Sequence, residues 1–238
     1  IWESDGTSDG TKLVQDFIAG TGSQIPNSLK PFNNKIYYSA SLTKGTDPSG
    51  LYSYDPVNGI QLVDQTLKYS SDFTTANGNL FFLVNSSFYY KMDSNGVITK
   101  ISDTVNGNGQ SGSINGKFLF GGKPTTSTSN YYQLYSYDGT DTSLLKTIHP
   151  TSTANIQNFY YSAALNKLFF SASDNLAGQE PWISDGTADG TTMLKDINTG
   201  TATTSSSPNN FIEIGNKVVF VASNNDTGKE LYITDGTA

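Results

Sequence analysis

Two short turns carry the residue types with the clearest chemistry in this chain. Asp5-Gly6-Thr7-Ser8-Asp9-Gly10-Thr11 and Asp185-Gly186-Thr187-Ala188-Asp189-Gly190-Thr191 each place two carboxylates in one bend. Asp5 with Asp9, and Asp185 with Asp189, are candidate ligands for calcium, which takes about six to eight oxygens. A turn of this size supplies only part of that shell. The same residues also satisfy a tight turn. Aspartate accepts from backbone N–H groups two residues on, glycine adopts positive φ, and threonine re-enters a strand. The turn accounts for every residue type here, so calcium is the alternative reading, and no other cofactor is implied.

Aromatic residues form a second recurring set: Trp2, Tyr52, Tyr89, Tyr135, Trp182 and Tyr232. An aromatic that recurs once per repeat either packs between neighbouring sheets or offers a stacking surface for sugars. Tyr54 and Tyr137 stand where other copies hold Ser or Thr, and are expected to be exposed. Tyr54, Tyr137, Trp2 and Trp182 are therefore the candidate ligand-binding side chains. Catalytic sets are sparse. The single His149 precedes Pro150, and there is no Cys, so neither a nucleophile pair nor a thiolate metal site can be assembled from them. Glycoside cleavage needs two carboxyl groups about 5–9.5 Å apart. Among the residues expected on innermost strands only Asp72 and Glu213 are acidic. The chain is read as non-enzymatic, with a glycan-processing enzyme as the rival.

What positions these residues is a repeat. Residues 181–200 match 1–20 at an offset of 180, and 166–188 match 216–238 at an offset of 50. The aspartates closing each aromatic strand are Asp5, Asp55, Asp93, Asp138, Asp185 and Asp235, with spacings of 50, 38, 45, 47 and 50. Turns at Asn34-Lys35, Asn77-Gly78, Asn115-Gly116, Asn166-Lys167 and Gly215-Asn216-Lys217 each precede a short apolar run such as Leu80-Phe81-Phe82-Leu83. Such runs, bounded by turns, read as strands buried on both faces. No 3.6-residue periodicity is sustained, so essentially no helix is expected. One period reads as four strands, the fourth being of the Lys12–Phe17 type. Four antiparallel strands repeated radially is the plan of a β-propeller. The expectation is all-β, one propeller domain over 1–238 with about five repeats: five blades, or six or seven if the array is longer.

Trp2-Glu3-Ser4-Asp5-Gly6-Thr7, Trp182-Ile183-Ser184-Asp185-Gly186-Thr187 and Glu230-Leu231-Tyr232-Ile233-Thr234-Asp235-Gly236-Thr237 resemble the ELWxxDGT repeat family. Gly10-Thr11, Gly190-Thr191, Asp16, Asp196, Pro26 and Pro208 extend the resemblance. It implies a propeller-like repeat protein, bacterial, secreted or on the cell surface.

Composition narrows the partners. The net charge is −7, and all 14 basic residues are Lys. Without a basic patch or any Arg, nucleic acid and anionic membrane surfaces are excluded as partners. No apolar run approaches the ~18 residues of a membrane span. Only 35% of residues are hydrophobic, but 12% are aromatic, which argues for an ordered core rather than disorder. The function expected is an extracellular interaction or adhesion module binding a glycan or protein surface. An architectural unit of a surface layer or filament is the alternative. The chain holds five periods plus one spare copy of strand three, so residues 1–7 compete with 230–237 for one slot. Self-assembly through this spare edge strand is a further expectation.

Overall fold

The computed structural model describes residues 1–14, 24–42, 49–201 and 203–237. Asp16, Gly20 and the part of the expected fourth strand beyond Val14 lie outside them. The described residues contain strands and turns and no helix. The chain forms two compact units, residues 1–75 with 79–99 and residues 76–78 with 100–238.

The first unit opens with a hairpin of β1 (Trp2–Glu3) and β2 (Lys12–Leu13). Then comes a four-stranded sheet of β3 (Gln24–Phe32), β4 (Lys35–Leu42), β5 (Gly50–Asp55) and β6 (Gly59–Asp64). Another follows, of β7 (Ser71–Ala76), β8 (Asn79–Val84), β9 (Phe88–Met92) and β10 (Ile98–Lys100). The second unit holds two four-stranded sheets and one of three strands. The first is β11 (Val105–Ile114), β12 (Lys117–Pro124), β13 (Gln133–Tyr137) and β14 (Thr142–Lys146). The next is β15 (Gln157–Ser162), β16 (Lys167–Ser173), β17 (Gln179–Ser184) and β18 (Thr192–Met193). The last is β19 (Asn209–Ile214), β20 (Lys217–Asn224) and β21 (Gly228–Thr234). Every sheet is ordered as its strands run in sequence, so each period is a meander.

The apolar runs become second strands, and most are buried on both faces. Leu80 to Val84 are all buried, as are Phe118 to Gly122 and Leu168 to Ser173. Each second strand places one aromatic opposite an aromatic of the third. The pairs are Tyr38 with Tyr52, Phe82 with Tyr90, Phe120 with Tyr135, Phe170 with Trp182, and Phe220 with Tyr232, at ring separations of 5.7 to 6.3 Å. Tyr90 thus holds the column position expected for Tyr89. It lies three residues before Asp93, the same interval as Trp182 to Asp185. Tyr89 turns to the other face and donates its hydroxyl to Asp72.

The hairpin turns follow glycine and asparagine preferences for positive φ. At the first, Asn33 and Asn34 (φ 47° and 58°) make the bend and Lys35 already belongs to β4, one residue earlier than the sequence suggests. These turns also reach the next sheet. Asn115 Nδ2 donates to the Asp185 carbonyl at 2.9 Å and Lys117 Nζ to the Gly186 carbonyl at 2.9 Å. In the first unit Asn33 Nδ2 donates to the Ser94 carbonyl at 3.1 Å.

The Asp-Gly-Thr turn is closed by its own side chains. Asp185 Oδ1 accepts from Thr187 N–H at 2.9 Å and from Thr187 Oγ1 at 2.7 Å. Thr187 Oγ1 in turn accepts from Gly190 N–H. Ser184 and Thr191 share a 2.7 Å hydroxyl bond. The Asp5 turn repeats the set. A Cβ on Gly190 would sit 2.1 Å from the Asp185 carboxylate, which is why a second glycine is required.

Two stability predictions follow from this geometry. Gly190→Ala forces the Asp185 carboxylate off its donors and lowers unfolding free energy by about 2 kcal/mol or more. Asn115→Ala removes the bond to the next sheet and costs about 1–2 kcal/mol. Urea denaturation, with exposed Val57→Ala as a control, measures both.

Candidate functional site

The first strand of each period carries a left-handed residue at a fixed place. These are Ser28, Asp72, Gly109, Asn158 and Asn210, with φ between 50° and 81°. At four of them the pairing with the second strand shifts register: between Asn27 and Lys30, Gly107 and Ser111, Gln157 and Tyr160, and Asn209 and Ile212. A bulge frees backbone and side-chain polar groups from the ladder and re-aims them. In the second unit the bulges are laced together. Asn158 N–H is donated to Gln110 Oε1 at 3.2 Å, and Asn158 Nδ2 to the Pro208 carbonyl at 3.1 Å.

Beside this lacing lies a cleft of about 400 Å³ in the second unit. Asn108, Gln110, Asn130, Asn155 and Gln157 line it with amides, alongside Tyr132. Part of the wall is fixed internally. Asn108 Oδ1 accepts from Gln110 N–H at 3.2 Å, and Thr153 Oγ1 accepts from Tyr132 N–H at 3.3 Å. Gln179 Nε2 donates to the Asn155 carbonyl at 3.2 Å. Lys123 caps the edge, bonded to Asn130 Oδ1 and 5.4 Å from the Tyr132 ring centroid. The Asn155 and Gln157 side-chain amides, Gln110 Nε2 and the Tyr132 hydroxyl make no hydrogen bond among the described residues. They present neutral donors and acceptors beside one aromatic ring, with no carboxylate in the wall. Such a surface can bind polar uncharged groups.

The residues singled out in the sequence fall elsewhere. Trp182 is buried against Phe170, and Tyr137 is buried with its hydroxyl donated to the Gly139 carbonyl at 2.6 Å. Tyr137 therefore does not have the exposure expected of it, because its strand is covered on both faces. Tyr54 is half-buried, donates to Glu3 at 2.6 Å, and lines a separate cleft of about 480 Å³ with Phe32 and Pro56. Trp2 is exposed. Asp5 and Asp185 are occupied by Thr7 and Thr187, while Asp9 and Asp189 lie at the exposed tips of the same turns. Among the described residues no three His, Asp or Glu side chains converge as a metal site would require. Of the inner-strand acids, Asp72 is held by Tyr89, and Glu213 accepts from Ser162 Oγ at 2.6 Å and Ala164 N–H at 2.9 Å. The cleft amides had a sequence signal in the clusters Asn108-Gly109-Gln110 and Asn155-Ile156-Gln157-Asn158.

Behind the cleft, Glu180 is fully buried and ties down the junction to the next period. It accepts from Ile197 N–H, Ser206 N–H and Ser206 Oγ at 2.6–2.9 Å. Burial pushes its carboxyl above the usual range against the pull of those donors, and the neighbouring Asp196 adds to the rise. The turn aspartates go the other way. Thr7 holds Asp5 low through its hydroxyl and N–H, and Thr187 does the same for Asp185.

No family model matches this chain, and no curated protein matches it. Solved structures do. A puromycin hydrolase aligns with 95% of this chain at a TM-score of 0.62 and 12% identity, covering 39% of that protein. The β-propeller domain of the trilobed protease from Pyrococcus furiosus aligns with 89% at a TM-score of 0.51 and 15% identity, covering 67% of that chain. TolB from Acinetobacter baumannii aligns with 96% at a TM-score of 0.49 and 18% identity, over 56% of its length. This chain thus spans 39% and 56% of the hydrolase and TolB chains. The repeated antiparallel four-stranded sheets and the likeness to propeller structures give the fold as of the β-propeller kind.

The opposed carboxyl shifts predict a peaked pH profile. The lowered turn aspartates stabilise the fold above their unfolded values, and that contribution is lost as pH falls through their folded ones. Glu180 is raised, so its contribution is full below its unfolded value and is lost as pH rises through its folded value. Urea midpoints across pH are expected to rise out of acid and then decline, and Glu180→Gln is expected to abolish the decline.

Proposed function

We propose that this chain is a non-catalytic interaction module of the bacterial cell exterior that binds a neutral glycan in the amide-lined cleft. Residues 1–238 then form a single propeller domain of five blades, one for each of the five aromatic pairs that join second and third strands. The observation that carries the binding reading is the set of unpaired amides around Tyr132. An amide offers a donor and an acceptor side by side, which matches vicinal hydroxyls. A tyrosine ring stacks on the apolar face of a sugar while its hydroxyl stays in play. The wall carries no charge pair that would favour an ionic ligand.

The reading of the chain as non-enzymatic is supported by what the acids do: Asp72 and Glu213 are engaged by Tyr89 and by Ser162 with Ala164. The external location is supported by the resemblance of the Asp-Gly-Thr units to a secreted repeat family. In this reading the aspartate turns are scaffolding, and ligand binding needs no calcium.

A glycan array probed with and without EDTA tests the proposal. Binding is expected in both conditions with no product released. Tyr132→Ala and Gln157→Ala each lower affinity at least about tenfold, the scale of one lost anchor contact, with unchanged melting. No glycan bound, or binding indifferent to both substitutions, overturns the reading, and capture of peptides instead would assign the cleft to a protein partner.

A further inference from the structure

Three amides of the cleft wall do not offer oxygen and nitrogen alike, because their oxygens are held inside the protein. Asn108 Oδ1 accepts from Gln110 N–H at 3.2 Å, Gln110 Oε1 from Asn158 N–H at 3.2 Å, and Asn130 Oδ1 from the Lys123 ammonium. A backbone N–H or an ammonium only donates, so in each pair the amide oxygen must face it. The nitrogens are thereby turned the other way. Gln110 Nε2 and Asn130 Nδ2 have no hydrogen-bond partner among the described residues. Thr153 Oγ1 already accepts from Tyr132 N–H, which leaves its hydrogen to donate. Asn155 and Gln157, bonded at neither end of their amides, can turn either way. The wall therefore holds more fixed donors than fixed acceptors.

Both fixed donors stand on features peculiar to their sheet among the described residues of the second unit. In β11 three residues, 108–110, lie opposite the single Gly121. In β15 and β19 the same bulge has only two, 158–159 and 210–211, opposite one. The segment from β12 to β13, which brings Asn130, has eight residues, against five between β16 and β17 and three between β20 and β21. Insertions confined to one repeat and meeting at one place mark a binding face.

A hydroxyl accepts from a fixed N–H, but its own hydrogen then needs an acceptor, and this wall has few. An acyl carbonyl accepts and carries no hydrogen. In an uncharged sugar the strong acceptor of that kind is the carbonyl of an acetamido group. The N–H of the same group suits an oxygen that Asn155 or Gln157 can turn toward it, and its methyl suits the Tyr132 ring.

We propose that the cleft selects glycans by their N-acetyl groups. Gln110 Nε2 and Asn130 Nδ2 give their hydrogens to acetamido carbonyls, and sugars that carry hydroxyls alone are the poorer ligands. This inference rests on the glycan reading above and names the sugar class within it. A carboxylate would also satisfy the donors, but the one cation at the edge, Lys123, is already bound to Asn130 and set over the Tyr132 ring, in a chain of net charge −7.

An array of paired glycans, identical but for an acetamido or a hydroxyl group on one carbon, tests the assignment. The acetamido members are expected to bind at least about tenfold more tightly, the scale of one well-placed hydrogen bond. Gln110→Glu and Asn130→Asp keep the oxygens that hold Asn158 and Lys123 and replace each free donor by an acceptor. Each is expected to bring the ratio within the pairs toward one at an unchanged melting temperature. A supporting role alone would weaken both members together and keep the ratio. Equal binding within the pairs, or a ratio that both substitutions leave intact, overturns the proposal while the glycan reading stands. A uronate-bearing glycan bound above both members overturns it in favour of an anion. An array with no glycan bound ends both readings.

Discussion

A sheet with apolar side chains on both faces cannot stand in water by itself, and that constraint governs this chain. Leu80 to Val84 of β8 carry no polar side chain to turn toward solvent, and all are buried. Each sheet must therefore lie between two others, or leave a face exposed. Within each unit the division of labour is the same. The face with the aromatic pair packs on the preceding sheet, as Phe170 and Trp182 do on Leu119 and Leu134. The other face receives the next sheet, as Phe169 and Ile183 receive Phe211 and Phe220. Aromatic pairs of this geometry add about 0.5–1.5 kcal/mol beyond their area, so one pair per period strengthens the join between second and third strands in every sheet.

Stacked apolar faces slide unless something polar sets their register. Two devices do so here. The hairpin of one sheet grips the aspartate turn of the next through Asn115 and Lys117, or Asn33 in the first unit. The bonds run to main-chain carbonyls, so they depend on the turn's backbone path rather than on its side chains. Glu180 does the equivalent at the junction, fastening Ile197 and Ser206 to β17. This explains what survives in the middle periods. Gly-Thr is lost after Asp55 and Asp93 and kept in Asp138-Gly139-Thr140, and Asp55, Asp93 and Asp138 each accept two backbone N–H groups from the residues that follow. Aspartate keeps the carbonyls aimed, while glycine and threonine only refine the bend.

Period, strand order and turn positions were legible in the residues because each follows from local chemistry. An Asn-Gly pair bends, an aromatic run buries, an aspartate closes a strand. The aromatic column was misplaced by one residue at Tyr89 because two adjacent tyrosines look alike in sequence and only register separates them. Tyr137 looked like a surface aromatic because it replaces a Ser or Thr, yet it lies on a strand with no open face. The amide clusters of the cleft stand in the sequence, but that they meet does not. Its amides come from β11, the segment between β12 and β13, and the start of β15 with the residues before it, stretches that come together only when two sheets stack. A bulge is a fact about pairing, and one strand's sequence does not contain it.

The bulge position also shows where this fold leaves room for function. At that place the backbone demands a left-handed residue and nothing more, and the chain meets the demand with Ser28, Asp72, Gly109, Asn158 and Asn210. Asparagine and aspartate tolerate that conformation, glycine does so without cost, and serine sits there with some strain. Packing fixes the aromatic pairs and the second strands to a narrow choice, so they cannot vary without loss of stability. The bulge residues and their neighbours are bound by no such requirement. In the second unit six of the nine residues at and beside these positions are amides, Asn108, Gln110, Gln157, Asn158, Asn209 and Asn210. In the first unit they include the carboxylate of Asp72. A repeat that holds its core constant while changing polar character at its bulges can offer different chemistry from each sheet without altering how the sheets stack. That separation allows a neutral, amide-rich surface to sit on a scaffold whose core does not change.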